Sequence, residues 1–112
     1  MNRIFFSTFE FDKQWESLGF GDEDRRRLEN EISSNPKAGK IIRGTGGLRK
    51  IRYAPEGQGK SGGSRVLFVD YVVYDRVYLI TAYSKKQKVD ISSDERKAYK
   101  RAIEQGRKGL KQ

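Results

Sequence analysis

The chain has 112 residues, 35% of them apolar and 35% charged, and this length and composition suit a single domain spanning residues 1–112. Its 24 Lys and Arg residues against 15 Asp and Glu give a net charge of +9, which favours a polyanionic partner. Cys and His are both absent, so disulfides, thiol chemistry, imidazole-based zinc sites and Ser-His-Asp triads are excluded.

Apolar segments typical of targeting or membrane insertion are missing from the sequence. The first residues, MNRIFFSTFEFDKQW, lack the apolar region of a signal peptide. No apolar run approaches the roughly 18 residues that a membrane-spanning helix needs. We therefore expect a soluble protein of the cytoplasm that has no membrane partner.

The N-terminal third predicts one strand followed by two helices. Residues 2–6 are short, apolar and aromatic, as in a first strand. Ser7 and Glu10 have the spacing of a capping box, and an amphipathic helical stripe follows them. Asp22 is the expected N-cap of a second helix, which ends before Asn35-Pro36 because the residue preceding a proline is disfavoured in α-helices.

From residue 37 onward the sequence favours extended structure. Lys40–Arg43 is a short strand or an extended entry, and Gly44–Gly47 is a turn signal. A glycine-rich loop covers Pro55–Gly63, and Asp75-Arg76 predicts a tight hairpin turn. The predicted strands on either side of these turns are Leu48–Ala54, Ser64–Tyr74 and Val77–Ser84.

A C-terminal helix begins at a second capping box, formed by Ser92 and Glu95. The resulting order, β-α-α-β-β-β-α, predicts an α+β fold: a small, mostly antiparallel sheet with helices packed on one face.

Positive charge is concentrated in residues 37–65 and 76–112, each with net charge +7, whereas residues 1–36 have net charge −3. This asymmetry favours one basic face.

Two motifs with known chemical uses are better explained as structure. Residues 54–61 fit a loosened Walker A pattern, but a P-loop must open a helix and the next element here is a strand. Asp22, Glu23 and Asp24 resemble a metal-binding cluster, yet acidic residues in a first helical turn complement the helix dipole. We therefore predict no metal and no cofactor.

Basic residues converge at one end of the predicted sheet. In an antiparallel hairpin that turns at Asp75-Arg76, the start of one strand lies beside the end of the other, so Arg65 should lie near Lys85 or Lys86. Tyr83 joins them, because it shares a face with Lys85. The alternative is a set of solvated charges on ordinary loops.

Three segments, 44–52 (GTGGLRKIR), 59–65 (GKSGGSR) and 81–85 (TAYSK), resemble the RelE/HigB toxins of bacterial type II toxin–antitoxin systems, most closely the HigB side. The resemblance covers most of the chain, including residues 35–39 and 90–92. It implies a small antiparallel sheet flanked by helices. Members of the family are described as ribonucleases that cut messenger RNA, generally in the ribosomal A site. The implied partners are a cognate antitoxin, messenger RNA, the ribosome, and operator DNA only as a complex with the antitoxin.

The resemblance also implies which residues form the site. The family's active-site basic residues fall on Arg65 and Lys85, with Lys60 and Tyr83 nearby, and further cations line the RNA path. The catalytic candidates are therefore Arg65, Lys85, Lys60 and Tyr83, and the RNA-binding candidates are Arg49, Lys50, Arg52 and Lys86.

These residue types suit metal-independent RNA cleavage. RNA supplies its own nucleophile, because attack by a 2′-OH on the adjacent phosphate gives a 2′,3′-cyclic phosphate and a free 5′-OH. Arg65 can bind the phosphate oxygens bidentately, and Lys60 and Lys85 are suited to proton exchange. Tyr83 can stack on a base or relay a proton.

Two other functions use the same basic face. A noncatalytic RNA- or ribosome-binding module would bind with strong salt dependence and cleave nothing. An interaction protein would receive an acidic peptide in its basic groove, and RNA would then not compete for the site.

Overall fold

A computed structural model describes residues 3–35, 37–55, 57–59, 63–88 and 90–111. The elements are β1 (Ile4–Ser7), α1 (Phe9–Ser17), α2 (Asp22–Ser34), β2 (Lys40–Ile41), β3 (Leu48–Tyr53), β4 (Ser64–Tyr71), β5 (Arg76–Ser84) and α3 (Ser93–Leu110), with a 3₁₀ turn at Val72–Tyr74. The strands form one sheet in the order β1-β5-β4-β3-β2. Among the strand pairs of the described residues only β1–β5 is parallel, so the predicted α+β class and the mostly antiparallel sheet are confirmed.

Helices cover both faces of the sheet, which corrects the prediction that they pack on one face. Val66 and Phe68 of β4 pack in a core with residues of α1 and α2, whereas Leu67 and Val69 pack in a second core with Ile103 of α3. The reason is visible in β4 itself, which is apolar at nearly every position. A strand of that composition is buried on both sides, and its second face requires a layer of its own.

The helix caps are partly as predicted. Ser92 and Glu95 form the expected capping box of α3, with the Glu95 N–H donating to the Ser92 hydroxyl over 3.1 Å. At α1 the cap is Thr8 rather than Ser7, because Ser7 is the last residue of β1. The Thr8 hydroxyl accepts a hydrogen bond from the Phe11 N–H over 3.0 Å. No helix in the described ranges is both long enough and apolar enough to cross a membrane.

The β4–β5 hairpin turns earlier than predicted. Its turn is the 3₁₀ segment closed by Asp75, whose φ of 52° is left-handed, rather than a two-residue turn at Asp75-Arg76. The register also shifts within the hairpin: Leu67 pairs with Thr81 but Phe68 pairs with Leu79, which leaves Ile80 as an extra residue in β5. Tyr83 therefore lies opposite the start of β4, and Lys85 follows the end of the strand.

Candidate active site

Three adjacent strands bring candidate residues into one row. Arg52 of β3 pairs with Arg65 of β4, and Arg65 pairs in turn with Tyr83 of β5. Residues directly opposite each other in antiparallel strands place their side chains on the same face. The row therefore lies on one face of the sheet, at the end far from the hairpin turn.

A basic cavity of about 530 Å³ includes most of the predicted cations. Arg65 and Lys85 both line it, so the two residues that the nuclease hypothesis needs together do lie at one site. The cavity wall contains five basic side chains and one acidic one. The full lining is Glu31, Ala38, Lys40, Lys50, Ile51, Arg52, Arg65 and Lys85.

Arg65 is held in place by its surroundings. The residue is only 8% exposed, and its Nη1 donates a hydrogen bond to the Gly63 carbonyl over 3.0 Å. None of the ion pairs between described residues involves Arg65. Its remaining N–H donors are therefore available to an anion, and a bound phosphate would meet a guanidinium that is already oriented.

Lys50 lies at the site with an acidic neighbour. Its Nζ is 3.8 Å from Oδ1 of Asp90, and Nη2 of Arg96 donates to Oδ2 of Asp90 over 3.3 Å. Asp90 thus joins a cation of β3 to a cation of α3. Because the Lys50 and Asp90 side chains are both accessible to solvent, their ion pair is weak. The pair orients Lys50 and leaves its charge able to bind a phosphate.

Tyr83 is buried next to Arg65 and lacks a hydrogen bond. It is 5% exposed, and among the described residues its hydroxyl has no hydrogen-bond partner. Burial raises the pKa of Tyr83 above its ordinary value, as does the Asp90 carboxylate, and Arg65 offsets part of this increase. The phenol therefore stays protonated at neutral pH and can act as a hydrogen-bond donor.

Of the predicted site residues that the structure describes, Tyr83, Arg49 and Lys86 do not line the basic cavity, and Tyr83 lines a neighbouring one. Arg49 pairs with Phe68, which packs on the α1/α2 face, and its Nη1 donates to the Gly39 carbonyl over 2.8 Å. Lys86 lines a different cavity, together with Tyr53 and other residues of the opposite face. Lys60 lies outside the described residues.

Sequence reasoning missed four charged residues at or beside the cavity, among them Glu31 of α2, which lines it. Lys40 reaches it because β2 pairs Lys40 with Lys50; the sequence predicts a short strand or extended entry at Lys40–Arg43 but not the strand with which it pairs. Asp90 and Arg96 approach Lys50 only because α3 packs against the sheet. The DIS segment at residues 90–92 was the one available signal for Asp90.

Acidic clusters capable of holding a metal are not found in the part of the chain that the structure describes. The acidic residues at the start of α2 have structural contacts instead. Gly21 rather than Asp22 is the N-cap, and the Asp24 carboxylate accepts hydrogen bonds from the Gly21 N–H over 3.3 Å and from the Tyr53 hydroxyl over 2.7 Å. Glu23 pairs with Arg26.

The chain and its fold match known toxins. The family described as "RelE toxin of RelE / RelB toxin-antitoxin system" matches residues 2–108. A double-arginine mutant of the E. coli toxin RelE, solved in the free state, is similar with a TM-score of 0.55 and 19% identity, over 80% of this chain and 90% of that one.

Two further E. coli structures are similar at the level of the fold. The isolated RelE toxin has a TM-score of 0.52 and 21% identity, over 89% of this chain and 98% of that one. The intact RelBE toxin–antitoxin complex has a TM-score of 0.51 and 21% identity, over 71% of this chain and 93% of that one. On the family match across nearly its whole length, this chain belongs to the RelE toxin family of toxin–antitoxin systems.

Proposed function

We propose that the protein is an endoribonuclease that cuts messenger RNA on the translating ribosome and thereby inhibits translation and growth. The observation that carries this proposal is the joint placement of Arg65 and Lys85 in one basic cavity with Lys40, Lys50 and Arg52. Family membership supports a toxin, and the cavity supports the chemistry by which it would act. The closer likeness to the HigB side stays a prediction.

Arg65 is the group best suited to the phosphate. In-line attack by the 2′-OH produces a phosphorane with two negative charges, and an enzyme must stabilise that charge. A buried, oriented guanidinium stabilises it without reorganising during the reaction. Lys50 and Arg52 add positive charge on the same wall, where they can hold the neighbouring phosphates and align the attack.

Proton transfer falls to groups other than His. Lys85 is exposed at the mouth of the cavity and can protonate the leaving 5′-oxygen. Tyr83 is the strand partner of Arg65 but does not line the basic cavity, so its catalytic role stays a proposal. Since the cations of the chain supply the charge stabilisation, we propose a mechanism that uses no metal ion. We propose that Lys60, for which the sequence predicts proton exchange, accepts the proton of the attacking 2′-OH in its neutral amine form.

The partners follow from the same proposal. The E. coli toxin RelE has been solved as a complex with its antitoxin, and we propose a cognate antitoxin for this chain as well. Operator DNA would be bound only by the toxin–antitoxin complex. Messenger RNA and the ribosome are the targets, which places the action of the toxin in the cytoplasm.

Mapping transcript 5′ ends after induction tests this function. Wild type should create new 5′-hydroxyl ends within translated regions and arrest growth, whereas Arg65→Ala should create few. Arg26→Ala is the matched control, because Arg26 is an exposed arginine of α2 that does not line the basic cavity. Equal numbers of cuts from wild type and Arg65→Ala would contradict the proposal, provided that circular dichroism shows both to be folded.

The chemistry of the ends gives a second test. A reporter RNA with a single 2′-deoxy nucleotide on the 5′ side of the scissile bond lacks the proposed nucleophile. Wild type, supplied with translating ribosomes, should leave this RNA intact at that bond and cut the all-ribose RNA to a 2′,3′-cyclic phosphate. Cleavage of the deoxy-substituted bond would show that the 2′-OH is not the nucleophile.

A further inference from the structure

A second cavity, of about 240 Å³, lies between α1, the end of β5 and the first turns of α3. None of the cations assigned above to phosphate binding lines it. Its polar lining consists chiefly of Glu10, Gln14, Tyr83, Gln87, Glu95 and Tyr99. At this volume the cavity is smaller than a site for a drug-sized ligand, and it suits a single ring system.

Several polar groups in this cavity lack hydrogen bonds. The Tyr83 hydroxyl is buried and without a partner among the described residues, although buried polar groups are nearly always paired. The side chains of Glu10, Gln14 and Tyr99 are exposed or half-buried and form no hydrogen bond with any residue in the described ranges, so they are accessible to a ligand. Groups of this kind, gathered around one cavity, are what a ligand with complementary donors and acceptors requires.

The rest of the cavity wall is fixed by internal contacts. Lys88 donates to Glu95 over 2.7 Å, and its Nζ lies 5.5 Å from the centre of the Tyr83 ring. The Gln87 side-chain oxygen Oε1 accepts a hydrogen bond from the Ser84 backbone N–H over 2.9 Å, which leaves the side-chain NH₂ group of Gln87 able to donate. The wall is therefore organised before a ligand arrives.

The charge of this wall selects the type of ligand. Glu10 and Glu95 outnumber Lys88, so the cavity repels phosphate, unlike the basic cavity beside it. Tyr83 and Tyr99 offer aromatic surface, and an amide next to a carboxylate can pair with the edge of a planar heterocycle. A carboxylate accepts hydrogen bonds from an exocyclic amino group, which adenine, cytosine and guanine carry and uracil does not.

Tyr83 connects the two cavities. It lines the second cavity, and its direct strand partner, Arg65, lines the basic cavity. A nucleotide whose phosphate is bound by Arg65 thus has a polar, partly aromatic cavity within reach of its base. In single-stranded RNA the bases are unstacked and can be bound in this way.

We propose that the second cavity is a base-recognition pocket, in which Glu10 and Gln14 favour a nucleobase with an exocyclic amino group over uracil. This proposal rests on the proposed function, because it assigns sequence preference to the same RNA-cleaving site. Glu10 and Gln14 are specificity-determining residues in this arrangement, and the phosphate chemistry stays with the basic cavity.

Cut-site mapping in cells provides the first test. Wild-type cut sites should be depleted of uracil, at least about fivefold, at one fixed position relative to the cut. Glu10→Gln should remove most of that depletion while cuts persist. Glu16→Gln, an exposed position of α1 that does not line the pocket, should keep the wild-type pattern. Cuts with the same base distribution in wild type and Glu10→Gln would overturn the proposal.

Nucleoside titration provides the second test and separates the two proposals. Adenosine, cytidine and uridine carry no phosphate, so the basic cavity does not attract them. Saturable NMR shifts of the Gln14 and Gln87 side-chain amides are expected with adenosine and cytidine, and at least about fivefold weaker binding with uridine. Discrimination should be lost in Glu10→Gln and kept in Glu16→Gln.

The two tests fail differently. If wild type makes no cuts but discriminates between nucleosides at these amides, the proposed function is wrong and the pocket is supported. If wild type cuts RNA but no nucleoside shifts these amides saturably, the pocket is overturned and the proposed function stands.

Discussion

A buried arginine side chain lies near each end of the β4–β5 hairpin, and the two differ in whether a carboxylate pairs with them. Next to the turn, Arg3 is 3% exposed at its side chain and pairs with Asp70, itself 6% exposed, through Nε–Oδ1 and Nη2–Oδ2 contacts of 2.8 and 3.2 Å. Its Nη1 also pairs with Asp75 over 3.0 Å. At the other end, Arg65 is also buried, and no carboxylate among the described residues pairs with it.

The paired arginine stabilises the fold, whereas the unpaired one is available to bind an anion. The Arg3 cluster fixes β1 and the turn to each other, and its charges are satisfied within the chain. The Arg65 end gathers cations whose mutual repulsion works against folding, and an anion from outside the chain would relieve it. Unpaired buried charge is a reason to look for a ligand, whereas paired buried charge is a reason to look for a structural role.

The largest effect is expected at Arg65. Arg65→Ala removes the oriented phosphate donor, so cleavage should fall by about 10²–10³-fold. The free energy of unfolding should stay within about 1 kcal/mol of wild type, because no ion pair between described residues is broken. Cut frequency at a reporter codon and urea denaturation measure the two quantities. A large loss of unfolding free energy, combined with wild-type cleavage per folded molecule, would show that Arg65 is structural rather than functional.

Arg3→Ala should show the opposite behaviour. It leaves Asp70 buried without its cation, so the free energy of unfolding should fall by about 3 kcal/mol. Urea denaturation measures the change. Arg26→Ala, which breaks only an exposed pair with Glu23, should cost less than about 1 kcal/mol and serves as the control. Similar small losses in both variants would show that the Arg3 cluster does not stabilise the fold.

Gly106→Ala tests the packing of α3 against Tyr71, the last residue of β4. A Cβ at this position would lie 2.6 Å from the Tyr71 hydroxyl, which donates to the Ile103 carbonyl over 3.0 Å. The clash should cost about 1–3 kcal/mol of unfolding free energy, as overpacking does in a close-packed core. Gly109→Ala, whose Cβ meets nothing, is the control on the same helix and should not destabilise the protein.

The smallest expected change in unfolding free energy is that of breaking the Lys88–Glu95 pair, and this change depends on pH. The hydrogen bond from Lys88, followed by that from the Ser92 N–H, lowers the pKa of Glu95 below its ordinary value. The stabilisation is therefore present above the unfolded pKa of about 4.3 and is lost as pH falls through the folded pKa. Lys88→Met should cost less than about 1 kcal/mol at pH 7, since the pair is partly exposed, and less still at pH 3. Equal costs at both values in urea denaturation would exclude a contribution from the ion pair.

Local patterns predicted most of the fold. The apolar β4, the polar and apolar alternation of β3 and the Ser92 capping box all indicate their elements directly. The hairpin register was wrong because Asp75 adopts a left-handed conformation that its residue type does not require, and because Ile80 is an extra residue in an otherwise regular strand. Neither feature leaves a local signal.

The sequence predicted only those site residues whose positions follow from the pairing of strands. Antiparallel pairing brought Arg65 and Tyr83 together in the prediction and also in the structure, despite the error in register. Asp90 and Arg96 join the site through packing of α3 on the second face of the sheet, which helix and strand patterns do not specify. The roles of all these residues remain predictions that the experiments above address.

The extra residue at Ile80 has a consequence for which side chain lies beside Arg65. Side chains alternate along a strand, so the bulge determines which side each residue after it will face. If Ile80 instead paired regularly with Leu67, Ala82 would lie opposite Arg65, and Tyr83 would face the layer filled by α1 and α2. Deleting Ile80 itself should leave Tyr83 opposite Arg65, because Leu79 and Thr81 already pair with the neighbouring residues Phe68 and Leu67. The bulge, rather than the composition of the strand, therefore decides that the phenol lies beside the guanidinium.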